Sequence, residues 1–174
     1  MEFRVLTSRL ILIGVVAFCA APVLAQDYSS RTRNLPTERA YEKLVHAEIF
    51  NFGGIGWALT ITPEEEAFRK LLESRNPGES FRRLLSEANP EGQLYALYGL
   101  YLEDRNVFKD VAARLKADDG PPLRREQFIS VEKGKVRVGS GCLLFQQDRR
   151  KVIEEIAEGK FDTAFNSNAR RLIF

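Results

Sequence analysis

Residues 94–102 read LYALYGLYL, nine residues without a charge and apolar on every side of a helix. A helix of that kind cannot lie on a surface, because no face of it prefers water. The rest of the chain must therefore enclose it, and this sets the fold class: mostly helical, built around a central helix at about 91–103. Gly92, Ala96 and Gly99 form a stripe of small residues along it. Glycine in mid-helix costs about 1 kcal/mol relative to alanine, so Gly99 points to a neighbour that must come close. Tyr95, Tyr98 and Tyr101, at i, i+3 and i+6, are candidates for a ligand or partner surface. Core packing with hydroxyls reaching the rim is the alternative.

The flanking helices are announced by a recurring start. Thr62-Pro63, Asn76-Pro77 and Asn89-Pro90 each put a capping side chain before a proline at the first helical position. Thr62 with Glu65 makes a capping box, and Asn76 with Glu79 repeats the pattern. Phe68, Leu71 and Leu72, then Phe81, Leu84, Leu85 and Ala88, fall on one face of each helix. The 13-residue step holds one helix and a tight turn, well short of the roughly 33–47 residues of two-helix solenoid repeats. Consecutive short helices packed as hairpins are expected. A first helix is predicted over about 36–50. A fourth, capped by Asn106, carries Phe108, Val111, Ala112 and Leu115 on one face.

Beyond the KADDGPP loop at 116–122 the period changes. FISV, EKGK and VRV predict a β-hairpin over 128–138 turning near Lys133-Gly134. Alternation at Trp57, Leu59 and Ile61, or the CLLF run at 142–145, would join it as further strands. A last helix is predicted over 148–158, stopped by Gly159. The reading is α+β: mostly α with a small antiparallel β element.

The first 25 residues read as a secretory signal peptide. Arg4 and Arg9 precede the uncharged run from Leu10 to Ala25, and Val23 and Ala25 fit a cleavage site after Ala25. That run is shorter than the ~20 residues of a spanning helix, so no integral membrane span is expected after cleavage. The expected product is exported, to the periplasm or the medium. It would have a flexible arm at 26–35, a single domain at 36–165 and a tail at 166–174. Removing Arg4, Arg9 and Glu2 leaves 24 basic and 23 acidic residues. That balance offers no electrostatic footprint for nucleic acid, and an unknown protein partner is the expected kind. Of two cysteines only Cys142 would remain, so no intrachain disulfide is possible.

Chemistry-bearing motifs are sparse. His46 is the sole histidine and sits near Glu42 one turn back. Cys142 falls on a predicted strand face with Val136, Val138 and Leu144, where a small buried thiol is expected. A nucleophile would need His46 beside it as base; the spacing neither supports nor excludes this. Gly53, Gly54 and Gly56 lack the lysine of a phosphate loop and lead from helix to strand, so a tight turn is expected. Glu64, Glu65 and Glu66 occupy a first helical turn, where the dipole favours them. No metal site or cofactor is expected.

The segments FNFGGIGWALTITPEEEAFRKLL, NPEGQLYALYGLYLEDRNVFKD, GSGCLLF and VIEEIAEGKFD together resemble a family of small secreted bacterial proteins. The shared pattern is a Gly-Gly-x-Gly-aromatic segment, a Gly-Gln-Leu-Tyr-Ala-Leu helix and a late Gly-Cys, covering about residues 50–162. Residues 93–97 are also weakly similar to the buried helices of HEAT-like helical arrays, though the step is too short for such an array. Neither resemblance implies an activity or a catalytic residue. The functional expectation is a non-enzymatic interaction or structural module of the envelope or medium. The alternative is a cysteine-dependent hydrolase using Cys142 with His46.

Overall fold

The computed structural model describes residues 36–58, 60–125 and 130–171. The expected signal peptide 1–25 and arm 26–35 lie outside the described residues, as do 128–129 of the expected hairpin and 172–174 of the expected tail. Seven helices and two short antiparallel ladders follow one another among the described residues. They are α1 (Thr37–Val45), α2 (Pro63–Leu72), α3 (Pro77–Glu87), α4 (Pro90–Glu103) and α5 (Arg105–Ala117). Then come β1 (Arg124–Arg125), β2 (Ser130–Val131), β3 (Lys135–Ser140), β4 (Leu143–Asp148), α6 (Arg149–Ala157) and α7 (Asp162–Arg171). The fold is mostly α with a small antiparallel β element.

Helix α4 is the enclosed helix, with every residue from Leu94 to Tyr101 buried. Neighbouring helices pack in pairs around it: α1 on α2, α3 on α4, α4 on α5. The small-residue stripe has a specific cause at two positions. A Cβ at Gly99 would lie 2.4 Å from the ring of Phe81 on α3, and one at Gly92 would lie 2.1 Å from the Leu44 carbonyl oxygen. The second contact marks where the end of α1 meets the start of α4. There the Asn89 N–H donates to the Val45 carbonyl at 3.0 Å, and Asn89 Nδ2 to that of Ala47 at 2.7 Å. Carbonyls at the end of α1 and just beyond it thus bond the residue that caps α4. This junction also explains why α1 stops at Val45, short of residue 50. Residues 47–50 leave the helix to run beside β3, where Phe50 bridges Val138 in parallel.

The caps divide. Thr62 Oγ1 accepts the Glu65 N–H, and Asn89 Oδ1 accepts the Gly92 N–H at 2.9 Å. Asn76 makes no side-chain cap bond, and Pro77 begins α3 without it. Helix α5 is capped by Asp104, not Asn106. Asp104 Oδ1 accepts the N–H groups of Asn106 and Val107. A carboxylate is the better acceptor at the positive end of a helix, and only one residue separates α4 from α5.

The β element differs from the expected 128–138 hairpin. Gly134, with φ at +78°, does turn the chain, but β2 pairs with β1 and not with β3. Strand β3 pairs instead with β4, Val138 opposite Phe145 and Ser140 opposite Leu143. Gln146 on β4 binds the β2 segment through its side chain, accepting the Glu132 N–H and donating to the Ser130 carbonyl. Residues 143–145 of the 142–145 run therefore belong to the sheet, with Cys142 in the turn before them. Of the expected 57–61 strand, Trp57 and Ala58 lie in a turn and Thr60 makes only an isolated bridge to Ile55, while Leu59 lies outside the described residues. At the C-terminal end α7 continues through the expected boundary at 165.

Asn89 and Asn76 separate a cap that bonds from one that does not. Asn89→Ala is expected to destabilise the protein by about 1–2 kcal/mol and Asn76→Ala by about 0.5 kcal/mol or less. Denaturant titration of both variants checks this, and equal losses would contradict the assignment.

Candidate functional site

The aromatic residues proposed as a surface are core. Tyr95, Tyr98 and Tyr101 are buried because α4 is covered on all sides. Their hydroxyls work inside the fold. Tyr95 donates to the Asn51 carbonyl at 3.1 Å and accepts the Asn51 N–H at 3.2 Å. Tyr98 and Tyr101 each donate to one oxygen of Asp162 at 3.0 Å. Burial first, and then the Asp162 carboxylate, push the Tyr98 hydroxyl well above its ordinary value, so it stays a donor.

Cys142 is exposed, against the expectation of a buried thiol. The reason is parity. Gly141, with φ at +56°, and Cys142 form the two-residue loop joining β3 to β4, a loop type that favours glycine in first place. The chain reverses there, so Leu143 and Phe145, rather than Cys142 and Leu144, share the face of Val136 and Val138. His46 is also exposed, just past the end of α1, where its N–H donates to the Glu42 carbonyl. The structure does not bring the two together. The strip from Phe50 to Ile55 runs along β3 from Val138 to Gly141, and His46 precedes that strip while Cys142 lies past its far end. Among the described residues no group of three His, Cys, Asp or Glu side chains is placed to hold a metal ion. None of the described helices is long and apolar enough to cross a membrane.

What the sequence reading missed is the surface around that loop. Leu143 and Leu144 are each 67% exposed, Phe145 is 41% exposed, and Trp57 is 99% exposed. Trp57 belongs to the same region because Ile55 bridges Gly141 and the Gly56 N–H donates to the Gly141 carbonyl at 2.9 Å. The glycines that break the chain here set its path. Gly53, Gly54 and Gly56 all have positive φ, and a Cβ on Gly53 would meet Ala164 of α7 at 3.0 Å. Gly139 likewise admits Ile49 and Ile55, whose Cδ1 atoms would lie 2.8 Å from a Cβ there. Beside this contact opens a cleft of about 430 Å³, lined by the apolar Ile49, Ile55, Leu144 and Phe145 together with Glu48, Arg137 and Gln146.

The signal for this surface was in the CLLF run. A strand with one covered face must turn alternate residues outward, so three successive large apolar residues cannot all be core. A contiguous exposed apolar patch of this kind is the feature that marks interaction sites on soluble proteins. A second trough, of about 660 Å³, lies between α3 and α5 over Leu85, Val107 and Val111. Its rim is occupied by internal pairs, Arg82 with Asp104 and Asp118 with Arg149.

The exposed thiol should react fully with a large alkylating reagent in the native state. His46→Ala should leave that rate unchanged; a rate that falls several-fold in the variant would restore the pair as a functional unit.

No protein-family model matches the chain, and neither does any curated protein or solved structure.

Proposed function

We propose that this protein is an exported, non-enzymatic interaction module of the cell envelope or medium, and that it engages its partner through the apolar tip of the β3–β4 hairpin. The observation that carries the reading is the grouping of Trp57, Leu143, Leu144 and Phe145, all exposed, around one glycine-containing loop. Exposed apolar side chains weaken solubility and invite aggregation, so keeping four of them together at one tip needs a compensating use. The leader-like segment at 1–25 supports export. The separation of Cys142 from His46 favours binding over thiol chemistry.

The test is affinity isolation from envelope and culture-medium extracts, comparing wild type with the Leu143→Asp, Leu144→Asp double variant. Both positions are largely exposed, so the variant should melt like wild type. Partners held by wild type should be lost from the variant and kept by Cys142→Ala. Equal recovery on the folded double variant, or recovery that depends on Cys142, would overturn the reading.

A further inference from the structure

The backbone of the same hairpin has an open side. The Phe50 N–H donates to the Arg137 carbonyl at 2.9 Å, and the Gly139 N–H donates to the Phe50 carbonyl at 3.0 Å. Arg137 and Gly139 therefore direct their peptide groups away from β4. In an antiparallel pair these directions alternate. Val136, Val138 and Ser140 thus bond β4, and their opposite numbers Gln147, Phe145 and Leu143 point back at β3. Leu144 and Gln146 are left directing their N–H and C=O groups to the far edge of β4. Among the described residues no backbone group bonds that edge. A two-stranded ribbon with an apolar, unpaired edge is a template for another strand.

We infer that the strand is β4 of a second copy of this chain, added antiparallel about a two-fold axis at Leu144 to make one four-stranded sheet, β3-β4-β4-β3. The inference rests on the reading of the hairpin as the docking surface. Self-complementarity selects the register. With Leu144 opposite its own copy, Leu143 of each chain lies opposite Phe145 of the other, so the apolar positions of the open edge all meet apolar positions. Moving the axis by one residue toward the helix puts Leu143 opposite Gln147, and moving it toward the loop puts Phe145 opposite Gly141. Area fits as well. The exposed parts of Trp57, Leu143, Leu144 and Phe145 present on the order of 500 Å² of apolar surface. In an interface of ordinary composition that accompanies roughly 900 Å² per partner, about what a stable dimer buries. Cys142 falls opposite Gln146 of the second copy, so the association makes no disulfide and is indifferent to reductant.

Sedimentation equilibrium of the protein beginning at Gln26, over a wide concentration range with and without reductant, tests this. Wild type should form a dimer. Leu144→Pro removes only an outward N–H, because that amide does not bond β3, and should raise the dissociation constant at least tenfold while the far-ultraviolet spectrum is kept. Leu144→Lys, which sets like charges opposite each other at the axis, should do the same and decides the matter alone if the proline variant does not fold. A monomeric wild type, a dimer that survives in the folded variants, or one dissolved by reductant would overturn the inference. A monomeric wild type whose envelope partners are still lost with Leu143→Asp, Leu144→Asp would end the dimer alone and leave the docking surface in place.

Discussion

A buried carboxylate joins the two parts of this fold. Glu91 stands at the start of α4 with no exposed surface. Its two oxygens take the guanidinium of Arg124, on β1, through two bonds of 2.7 and 2.8 Å. Oε1 also accepts the Arg137 N–H of β3 at 2.8 Å. One side chain of the central helix thus holds both ladders. The position suits the charge, because a helix N-terminus favours an anion and a bidentate guanidinium is the strongest common partner for one. Breaking a buried pair of this kind from one side costs about 3–5 kcal/mol. The hairpin depends on it: a two-stranded ribbon is marginal in water by itself, and β3 owes its orientation to this clip and to Phe50.

The same device recurs in α2. Glu65, also buried, accepts Arg69 at 2.7 Å and the Gly53 N–H at 3.1 Å. Arg69 in turn donates to the Phe165 carbonyl at 2.6 Å and lies 4.2 Å over the Phe165 ring. Asp162 adds the two tyrosine hydroxyls of α4. The Gly53–Gly56 loop and α7 are therefore tied to the helical core through charged groups inside it. The outcome is a rigid frame that carries an apolar tip, which is what a docking surface requires: its side chains are presented without first having to be ordered.

The helical half was legible because its signals are local. LYALYGLYL has no polar face, and capping residues act within three positions of themselves. Asn76 and Asn106 misled for the same reason that Asn89 did not. The residue type permits a cap, but the bond depends on the path of the chain before it, and at α5 Asp104 stood closer to the break. The sheet was less legible. A turn at Gly134 is local, but which strand meets β3 is decided by Glu91, Phe50 and Gln146, all distant in sequence. Cys142 was misplaced by one consequence of that choice, since a reversal at 141–142 exchanges the faces of every residue after it. Glu91 itself gave no warning, because an acid at a helix start reads as an ordinary solvated residue until the guanidinium that meets it is placed.

Glu91 holds the β layer, and with it the tip, onto the helical core. Amide hydrogen exchange of Glu91→Gln, which keeps the side chain's shape while removing its charge, is the decisive measurement. The Arg137 amide and the β3–β4 ladder should lose protection while the amides of α3, α4 and α5 keep theirs. Protection unchanged at Arg137, or lost first in α4, would contradict it.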